Sequence, residues 1–560
     1  MFPRLFLFIV LSIFVFSAPV MAQKPLPYSE LDGKAYDPKT DPDIDMFVNN
    51  WKNSMPRNIY GSLVVRDILT KCDGDPMKPT RKGAVLTEVN SVSFATLEPK
   101  AMTSPTKLAN EQEMYYIQSG KGVLKSGKKT WELREGIAFM ADPGIEFNFT
   151  NTGDDYLTMY LISQPIPKDY VLKKELVVND EYTKEQGISV HWANIDRPLI
   201  GDGSVFGGMT AVKLDPMTMA QPHSHGNGTE EVWIALKGDI KILFGKQMRV
   251  FPAGSAYRIP WNNVTPHANM NFSDKQVKLI HMMKYNPGDG GPQPYGQLDP
   301  KLFDPKTDPD IDQFIGNWRD SMPRILFGSL VVRDILTKCD GDPMKPQRKA
   351  AALSDLNFVS RATLEEHAST FPTVLSGEQQ IYYVISGTGT VKAGSKTADL
   401  RAGISFFIPA GLEFTVSNTD CESMAMYLIS EPVPQGFVPV KEMKVVDEYS
   451  LKRSGPVHWV NMDNGLFSKN DGLATIYGIG TTMLDGLTIA QPHSHFPGWE
   501  EVWVGMEGNI NALIGKQLRQ IPVGSAYKVP ANGTTPHANI NITDKPMKLM
   551  VIIKLSPGYK

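Results

Sequence analysis

The spacing of apolar and polar residues predicts strands in both halves of the chain and a helix ahead of the first strand in each half. GSLVVRDILTKC, at residues 61–72 and again at 328–339, has the composition of a partly buried strand. Upstream of each copy, an Asp-Pro pair begins a segment with apolar residues at helical spacing. The spacing is carried by Ile44, Phe47, Val48 and Trp51, and by Ile311, Phe314, Ile315 and Trp318. We therefore predict a short N-terminal helix in each half.

The sequence is an internal duplication. Cys72 and Cys339 lie 267 residues apart in matching phrases, whereas His223 and His493 lie 270 residues apart. An insertion of three residues in the second half, between His458 and His493, reconciles the two displacements. The Gly- and Pro-rich stretch NPGDGGPQPYGQLDP separates the copies and is typical of a linker. The repeat therefore fixes the domain organisation before any detailed fold is assigned.

Two histidines and an acidic pair form the first chemical motif of each half. His223 and His225 share one face of an extended segment, because side chains at i and i+2 point the same way. A GNGT turn then leads into a strand that begins at Glu230 or Glu231. Glu231 shares its face with Trp233 and a small residue, as in a pocket wall, whereas Glu230 shares its face with packing residues. We predict that Glu231 joins the histidines, with Glu230 as the alternative.

A third histidine follows in each half within the phrase TPHAN. The predicted metal ligands are His223, His225, Glu231 and His267 in the first half, and His493, His495, Glu501 and His537 in the second. Glu500 is the alternative to Glu501. Imidazole and carboxylate ligands suit a divalent transition metal and leave coordination positions open for a small molecule. We expect two ions per chain, and Mn, Fe, Ni, Cu and Zn all suit this ligand set.

These motifs resemble those of the cupin superfamily. The family combines a His-x-His pair, a Glu and a Gly with a Pro-rich turn that leads to a His and, four residues later, an Asn. The matching residues are His223, His225, Glu231, Gly238, His267 and Asn271, and His493, His495, Glu501, Gly508, His537 and Asn541. The loop between the His pair and the Glu is one residue longer than is usual in the family. The resemblance implies an all-β protein of four cupin jelly-roll barrels, arranged as two homologous bicupin halves.

The first barrel of each half lacks the histidines. Residues 111–127 and 378–394 keep the cupin rhythm of strand and glycine turn, but Phe147 and Phe414 stand where the second-motif histidine would be. We expect these barrels to bind no metal and to pack against the metal-binding ones. The predicted organisation is a signal peptide at 1–22, barrel 1 with its helix at 23–170, barrel 2 at 171–286, a linker at 287–300, barrel 3 with its helix at 301–437, and barrel 4 at 438–560.

The net charge and the N-terminal segment indicate which kinds of partner and which cellular location to expect. A net charge of −3 provides no field for binding nucleic acid, so a small-molecule ligand is expected. Arg4, an apolar run and small residues before Ala22 predict a cleaved secretory signal, and no later stretch is long enough to span a membrane. Glycosylation sequons inside the metal motifs favour the bacterial periplasm or extracellular space over a glycosylating compartment. A homo-oligomer is compatible with the sequence.

Several repeated residues have two interpretations. Cys72 and Cys339 are either free thiols, which we favour, or a disulfide between the halves. His191 and His458 each precede a tryptophan, and packing by that tryptophan is favoured over a role as catalytic base. His281 has no twin and is assigned no role. The residues predicted to line the pocket or to orient ligands are Gln221, Trp233, Asn271, Gln491, Trp503 and Asn541, with core packing an equal alternative for the tryptophans.

The predicted function is that of a secreted cupin metalloenzyme. An oxidoreductase of the oxidase or dioxygenase type, acting on a small oxygenated or carboxylate-bearing molecule, is the leading hypothesis. Bicupin oxalate decarboxylases resemble each half in layout but usually bind metal in both barrels, which weakens that assignment. The alternatives are a cupin decarboxylase or isomerase, and a non-catalytic binding or storage protein. The sequence assigns no catalytic residue.

Overall fold

The computed structural model describes residues 34–187, 191–201, 204–226, 228–284, 303–454 and 458–555. The predicted signal peptide and linker lie outside these ranges. Within the described residues, the secondary structure consists of β-strands and short 3₁₀ turns of three or four residues. The 3₁₀ turns are Ile44–Phe47, Trp51–Asn53, Glu181–Thr183, Ile311–Phe314, Trp318–Asp320, Glu448–Ser450 and Lys469–Asp471. In this part of the chain, no helix is long and apolar enough to cross a membrane.

The described residues of the first half form 22 strands. They are β1 (Val48–Asn50), β2 (Pro56–Ile59), β3 (Leu63–Lys71), β4 (Ala84–Leu86), β5 (Ser91–Leu97), β6 (Thr106–Lys107), β7 (Glu111–Ser119), β8 (Gly122–Ser126), β9 (Lys129–Leu133), β10 (Ile137–Ala141), β11 (Glu146–Asn151), β12 (Leu157–Pro165), β13 (Val177–Asp180), β14 (Asn194–Ile200), β15 (Met209–Leu214), β16 (Thr218–Met219), β17 (Glu230–Lys237), β18 (Ile240–Phe244), β19 (Gln247–Phe251), β20 (Ser255–Arg258), β21 (His267–Asn271) and β22 (Val277–Lys284).

In the second half, the part of the chain that the structure describes repeats this order with 21 strands. They are β23 (Ile315–Asn317), β24 (Pro323–Leu326), β25 (Leu330–Thr337), β26 (Phe358–Leu364), β27 (Thr373–Val374), β28 (Glu378–Ser386), β29 (Gly389–Ala393), β30 (Lys396–Leu400), β31 (Ile404–Ile408), β32 (Glu413–Asn418), β33 (Met424–Pro432), β34 (Lys444–Asp447), β35 (Met462–Ser468), β36 (Ile476–Leu484), β37 (Thr488–Ile489), β38 (Glu500–Glu507), β39 (Ile510–Ile514), β40 (Gln517–Ile521), β41 (Ser525–Lys528), β42 (His537–Asn541) and β43 (Met547–Lys554).

Four barrels arise from these strands, each built from a larger and a smaller antiparallel sheet. Barrel 1 combines the order β13-β10-β7-β12-β5-β3-β2 with β6-β11-β8-β9, and barrel 3 combines β24-β25-β26-β33-β28-β31-β34 with β27-β32-β29-β30. Barrel 2 combines β1-β20-β17-β22-β15-β14 with β19-β18-β21-β16, and barrel 4 combines β23-β41-β38-β43-β36-β35 with β40-β39-β42-β37. The predicted all-β fold of two homologous halves is confirmed.

The predicted N-terminal helices are wrong. Asp43 accepts a hydrogen bond from the backbone N–H of Asp45 and caps a single 3₁₀ turn, in which Ile44 and Phe47 are buried. From Val48 the chain becomes strand β1 and pairs with β20 of barrel 2. The i, i+3 spacing suits one 3₁₀ turn as well as a helix, and pairing with β20 satisfies the next backbone groups. The second half behaves in the same way, with β23 against β41.

The halves meet through the smaller sheets of barrels 2 and 4. Thr218 of β16 pairs with Gln517 of β40, which joins the two sheets into one of eight strands. A buried cluster covers this junction, and it includes Trp192 and Trp459. Within each half, the larger sheets of the two barrels share a hydrophobic core. Cys72 and Cys339 are free thiols.

A buried ion pair also connects the barrels of each half. Lys548 of barrel 4 donates to Glu448, at 2.7 Å, and to the hydroxyl of Tyr383 in barrel 3, at 2.9 Å. Glu448 also accepts from the hydroxyl of Thr481, at 2.6 Å. Burial alone would raise the pKa of Glu448, but the hydrogen bonds from these partners outweigh it and lower the pKa. The equivalent pair in the first half, Lys278 with Glu181, is separated by 2.6 Å.

Lys548→Met is expected to destabilise the protein by about 3–5 kcal/mol at neutral pH, because it leaves a buried carboxylate without its cation. The folded-state pKa of Glu448 is lowered, so the pair stabilises the protein above the unfolded-state pKa and loses this effect as the pH falls through the folded-state value. The difference between variant and parent should therefore shrink in acid. Urea unfolding at pH 7 and pH 4 measures this difference in the free energy of unfolding. Lys545→Met, at an exposed lysine, is the control. A difference independent of pH would contradict the assignment.

Candidate metal centres

Backbone hydrogen bonds bring the two histidine motifs of each half together. The N–H of His223 donates to the carbonyl of His267, at 3.2 Å, and the N–H of His267 donates back, at 2.9 Å. The N–H of Asn263 donates to the carbonyl of His225, at 2.8 Å. Glu231 lies on β17 in the larger sheet, which faces this bridge. The same bridge joins the motifs in the second half.

The four predicted ligands of each half converge in the structure. In both centres, one ligand atom from each residue lies within 4.8 Å of every other. His495 Nε2 is 2.9 Å from Glu501 Oε2, and His537 Nε2 is 3.0 Å from Glu501 Oε1. In the first centre His225 Nε2 contacts Glu231 Oε2. All eight side chains are buried, with exposed fractions of 1% to 7%. These two groups could each hold a metal ion.

Hydrogen bonding fixes one imidazole of each centre in the form that can bind a metal. His223 Nδ1 lies 2.9 Å from the backbone carbonyl of Gln221, and His493 Nδ1 lies 2.8 Å from that of Gln491. A carbonyl only accepts, so Nδ1 carries the proton and Nε2 keeps its lone pair. The Nε2 atoms of His223 and His493 are buried and have no hydrogen-bond partner in the protein. Such orphaned acceptors fit a metal ion as the missing partner.

The charges of the centres also fit a cation. Burial lowers the pKa values of His223 and His493 well below the usual range, so both imidazoles are neutral. Burial would raise the pKa of Glu231, but His225 and His267 outweigh it and hold the pKa well below its usual range. Metal ligands must be deprotonated, and these groups already are.

Adjacent glutamates point to opposite sides of the strand. Glu230 accepts hydrogen bonds from the backbone N–H groups of Thr87, Glu88 and Val89, at 2.6, 3.3 and 3.2 Å. Its carboxylate therefore anchors a barrel 1 loop to barrel 2 instead of facing the histidines. In the second half, Glu500 accepts from Ser354, Asp355 and Leu356, at 2.6, 2.9 and 3.3 Å. The geometry places Glu231 and Glu501, and not the alternatives, in the centres.

Comparison with known proteins assigns the family. A family model described as the cupin domain matches residues 93–163 and 360–430. The chain therefore contains a cupin domain in each half. Both matches fall in barrels 1 and 3, which lack the histidines, so the family assignment does not depend on the metal motifs. Among curated proteins, none matches the chain.

Solved structures with some similarity to this cupin include three examples. Protein Ylba from E. coli is 16% identical, with a TM-score of 0.34, and covers 44% of this chain and 92% of its own. A variant of oxalate decarboxylase from Bacillus subtilis is 11% identical, with a TM-score of 0.35 and coverages of 45% and 78%. AerE from Microcystis aeruginosa is 13% identical, with a TM-score of 0.32 and coverages of 43% and 100%.

In place of metal ligands, barrels 1 and 3 of this cupin contain aromatic rings. Tyr115 stacks on Phe139 with centroids 4.3 Å apart, and Phe147 lies 6.2 Å from Tyr115. In barrel 3, Tyr382 stacks on Phe406 at 4.6 Å. Phe147 and Phe414, predicted to replace the histidine, are both buried. A phenyl ring thus fills the space of an imidazole and removes its donor atom.

The tryptophans predicted to line the pocket hold the metal-site carboxylates. Trp233 Nε1 donates to Glu231 Oε1 at 2.6 Å, and Trp503 donates to Glu501 in the same way. The glutamines act mainly through their backbone carbonyls, as described above, although the Oε1 atom of Gln491 also lies 3.4 Å from His458 Nδ1. Tryptophan therefore orients the ligand from outside the coordination sphere.

Asn271 and Asn541 do not line the pockets as predicted. The amide of Asn271 donates to the backbone carbonyls of Leu214, Asp215 and Lys275, at 3.1, 3.0 and 2.8 Å. Asn541 donates to Leu484 and Lys545 in the same manner. Asn151, in barrel 1, also donates to three carbonyls of this kind although its barrel lacks the ligands. The motif asparagine thus fixes a turn of the fold.

Sequence analysis missed two polar residues inside each metal-binding barrel. The hydroxyl of Tyr257 donates to Asn269 Oδ1 at 3.0 Å, and that of Tyr527 donates to Asn539 at 2.8 Å. Burial and the charge of Glu231 raise the pKa of Tyr257 well above its usual range, so its hydroxyl stays protonated. Asn269 lies two residues after His267 on the same strand face, and this spacing could have revealed it.

His191 and His458 lie against the metal centres, a position that the sequence did not predict. The ring of His191 stacks on that of His223 at 4.3 Å, and His458 stacks on His493 at 4.4 Å. The tryptophans turn into the cluster between the halves, because their backbone is left-handed, with φ of 43° at Trp192. Burial lowers the pKa of His191 to about 4, so the stacked ring is neutral.

His281, which was assigned no role, belongs to the first centre. Its Nε2 atom lies 3.1 Å from Glu231 Oε1, and its ring lies 4.6 Å from that of Trp233. His281 is on β22, whose pairing with β17 places it opposite Trp233. No local sequence pattern reveals a contact between strands so far apart along the chain.

Proposed function

We propose that this cupin is a metal-dependent oxidoreductase, of the oxidase or dioxygenase type, that acts on a small oxygenated or carboxylate-bearing organic molecule. The convergence of three imidazoles and one carboxylate at two buried points carries the proposal. Four protein ligands leave one or two positions open on an octahedral ion, as a catalytic site requires. A purely structural site would close its coordination shell with protein atoms.

The charge of each centre supports an anionic substrate. Imidazoles that bind a metal must be deprotonated, so the four ligands would contribute a charge of about −1 and a divalent ion would leave the centre positive. A bound ion would supply a Lewis acid and, for Mn, Fe or Cu, a redox partner. The centre would therefore attract a carboxylate or another anionic oxygen into a site of low dielectric, where the attraction is strong.

Residues around each centre orient the metal ligands and limit the size of the substrate. The Gln221 carbonyl holds the proton of His223 on Nδ1, and Trp233 fixes one oxygen of Glu231. Tyr257, protonated and held by Asn269, offers a neutral hydroxyl within the barrel. The burial of every ligand favours a small substrate and keeps bulk water away.

We further propose that the protein is exported. Arg4, the apolar run that follows it to Phe16 and the small residues that end at Ala22 support this location. Fractionation of cells that express the full chain tests it, with sequencing of the mature N-terminus expected to start at Gln23.

Protein purified from its native compartment is expected to contain about two transition-metal ions per chain, by elemental analysis, because each half forms one centre. It should then turn over a member of a panel of small carboxylic acids and phenols, with oxygen consumption followed by electrode and carbon dioxide release followed in parallel. Carbon dioxide release without oxygen consumption would replace the oxidoreductase with a decarboxylase. Tight binding of panel members without turnover would favour a binding protein and contradict the proposal.

A further inference from the structure

The two centres have the same ligands but different surroundings at the glutamate. His281 on β22 faces Trp233, whereas Val551 on β43 occupies the equivalent place opposite Trp503. In the first centre, Glu231 Oε1 lies 2.6 Å from Trp233 Nε1 and 3.1 Å from His281 Nε2. Valine has no donor, so the second centre lacks this additional contact.

The position of the carboxylate differs accordingly. Glu501 Oε1 lies 3.0 Å from His537 Nε2, whereas the corresponding distance from Glu231 Oε1 to His267 Nε2 is 3.6 Å. Glu231 Oε1 accepts from Trp233 and contacts His281 on one side, and it lies farther from the histidine on the other side. The second oxygen, Oε2, contacts His225 and remains the one that faces the histidine cluster.

A second pair of substitutions accompanies this difference. Asp463 on β35 accepts a hydrogen bond from the hydroxyl of Thr482, at 2.6 Å. Asp196 is its counterpart in the first half, and its strand partner is Val212, which cannot donate. Burial raises the pKa of Asp196, and the charge of His281 opposes the increase. His281 thus contacts Glu231 in the centre and lies within electrostatic range of Asp196.

The approach to the centres differs as well. Trp499 stacks on His495 of the second centre, with ring centroids 4.9 Å apart and planes within 12°. The first centre has Thr229 at the equivalent position of its turn. A threonine offers no ring to stack on His225, so only the second centre has an aromatic wall at this side.

We infer that the two centres are chemically different, and that His281 is the positioning residue that holds Glu231 in the first centre. The inference rests on the proposed binding of metal by both centres. Outer-shell partners that orient a metal ligand typically contribute about 10–100-fold to metal affinity. His281 therefore tightens the first centre, and the second centre, with valine in its place, binds the same ion more weakly.

The test separates the centres and uses Co²⁺ as the probe, because its visible spectrum reports coordination geometry. The first background carries His493→Ala and His495→Ala, so only the first centre can bind the ion. The second background carries His223→Ala and His225→Ala, so only the second centre can bind it. In the first background, His281→Val is expected to lower Co²⁺ affinity by about 10–100-fold and to shift the Co²⁺ spectrum. His281→Gln, whose amide can still donate to Glu231, should restore much of the affinity. In the second background, Val551→His should raise affinity.

Three outcomes would overturn the inference. Unchanged affinity and spectrum in His281→Val would show that the contact does not position Glu231. Equal losses in His281→Val and His281→Gln, with a matching loss of thermal stability, would assign a packing role instead. Equal affinities of the two parent backgrounds would contradict the difference between the centres. If neither background binds Co²⁺, the proposed function itself fails, and this result is distinct from the other three.

Discussion

His225→Ala combined with His495→Ala is expected to reduce the metal content from about two ions per chain to near zero. Each substitution removes one of only four protein ligands in its centre. A metal ion stabilises transition-state charge by several kcal/mol, so turnover should fall by at least about 10³-fold. Elemental analysis and the substrate panel measure the two effects on the same preparation.

The fold should survive this double substitution, because the sheets and their cores do not contain these side chains. Circular dichroism and urea unfolding check this. His367→Asn provides the control, since His367 is exposed in barrel 3, and asparagine tolerates its left-handed backbone, with φ of 53°. Full activity in the metal-free double variant would show that the metal has no catalytic role, and it would contradict the proposed function.

Glu230→Gln and Glu231→Gln are expected to have different effects on the metal content although the residues are adjacent. Glu230 accepts several backbone hydrogen bonds from the loop of barrel 1, and a neutral amide would lose their charge-assisted part. We expect a loss of about 2–4 kcal/mol in the free energy of unfolding, with metal content unchanged. Glu231→Gln should instead remove the metal from the first centre, and in the metal-free protein it also removes the buried partner of His225 and His267, so some stability is lost as well.

Urea unfolding of metal-free protein, proteolysis within residues 72–90 and metal analysis of both variants distinguish these effects. Glu500→Gln and Glu501→Gln are the matched pair in the second half. Loss of metal in Glu230→Gln without a change in stability would contradict the assignment of the two carboxylates, since it would place Glu230 among the ligands.

The ligand set followed from the sequence because it depends on a local rule. Side chains alternate along a strand, so Glu231 could be separated from Glu230 by its neighbours alone, and the structure places both on the expected faces. Repetition of the motif then excluded coincidence. The phenylalanines at 147 and 414 were recognisable for the same reason, as single changes at a fixed position of a repeated pattern.

Predictions from local sequence patterns were wrong where a distant part of the chain forms hydrogen bonds with the segment. The apolar spacing at residues 44–51 predicted a helix, but β20 supplies hydrogen bonds that hold Val48 to Asn50 as a strand. Asn271 has the right spacing to face the centre, yet it ends its strand and its amide satisfies turn carbonyls. In both cases, the partner lies in another strand or turn.

The sequence by itself predicted the duplicated architecture, the candidate ligands of each centre with Glu230 and Glu500 left as alternatives, and the barrels that lack the histidines. The signal peptide, the domain boundaries and the type of reaction stay predictions. Only the tertiary structure decided which residues surround the ligands: His191 stacked on His223, the Tyr257 and Asn269 pair, and His281 beside Glu231. These contacts join strands and loops that are distant in sequence, and strand pairing, which no local pattern encodes, sets their register.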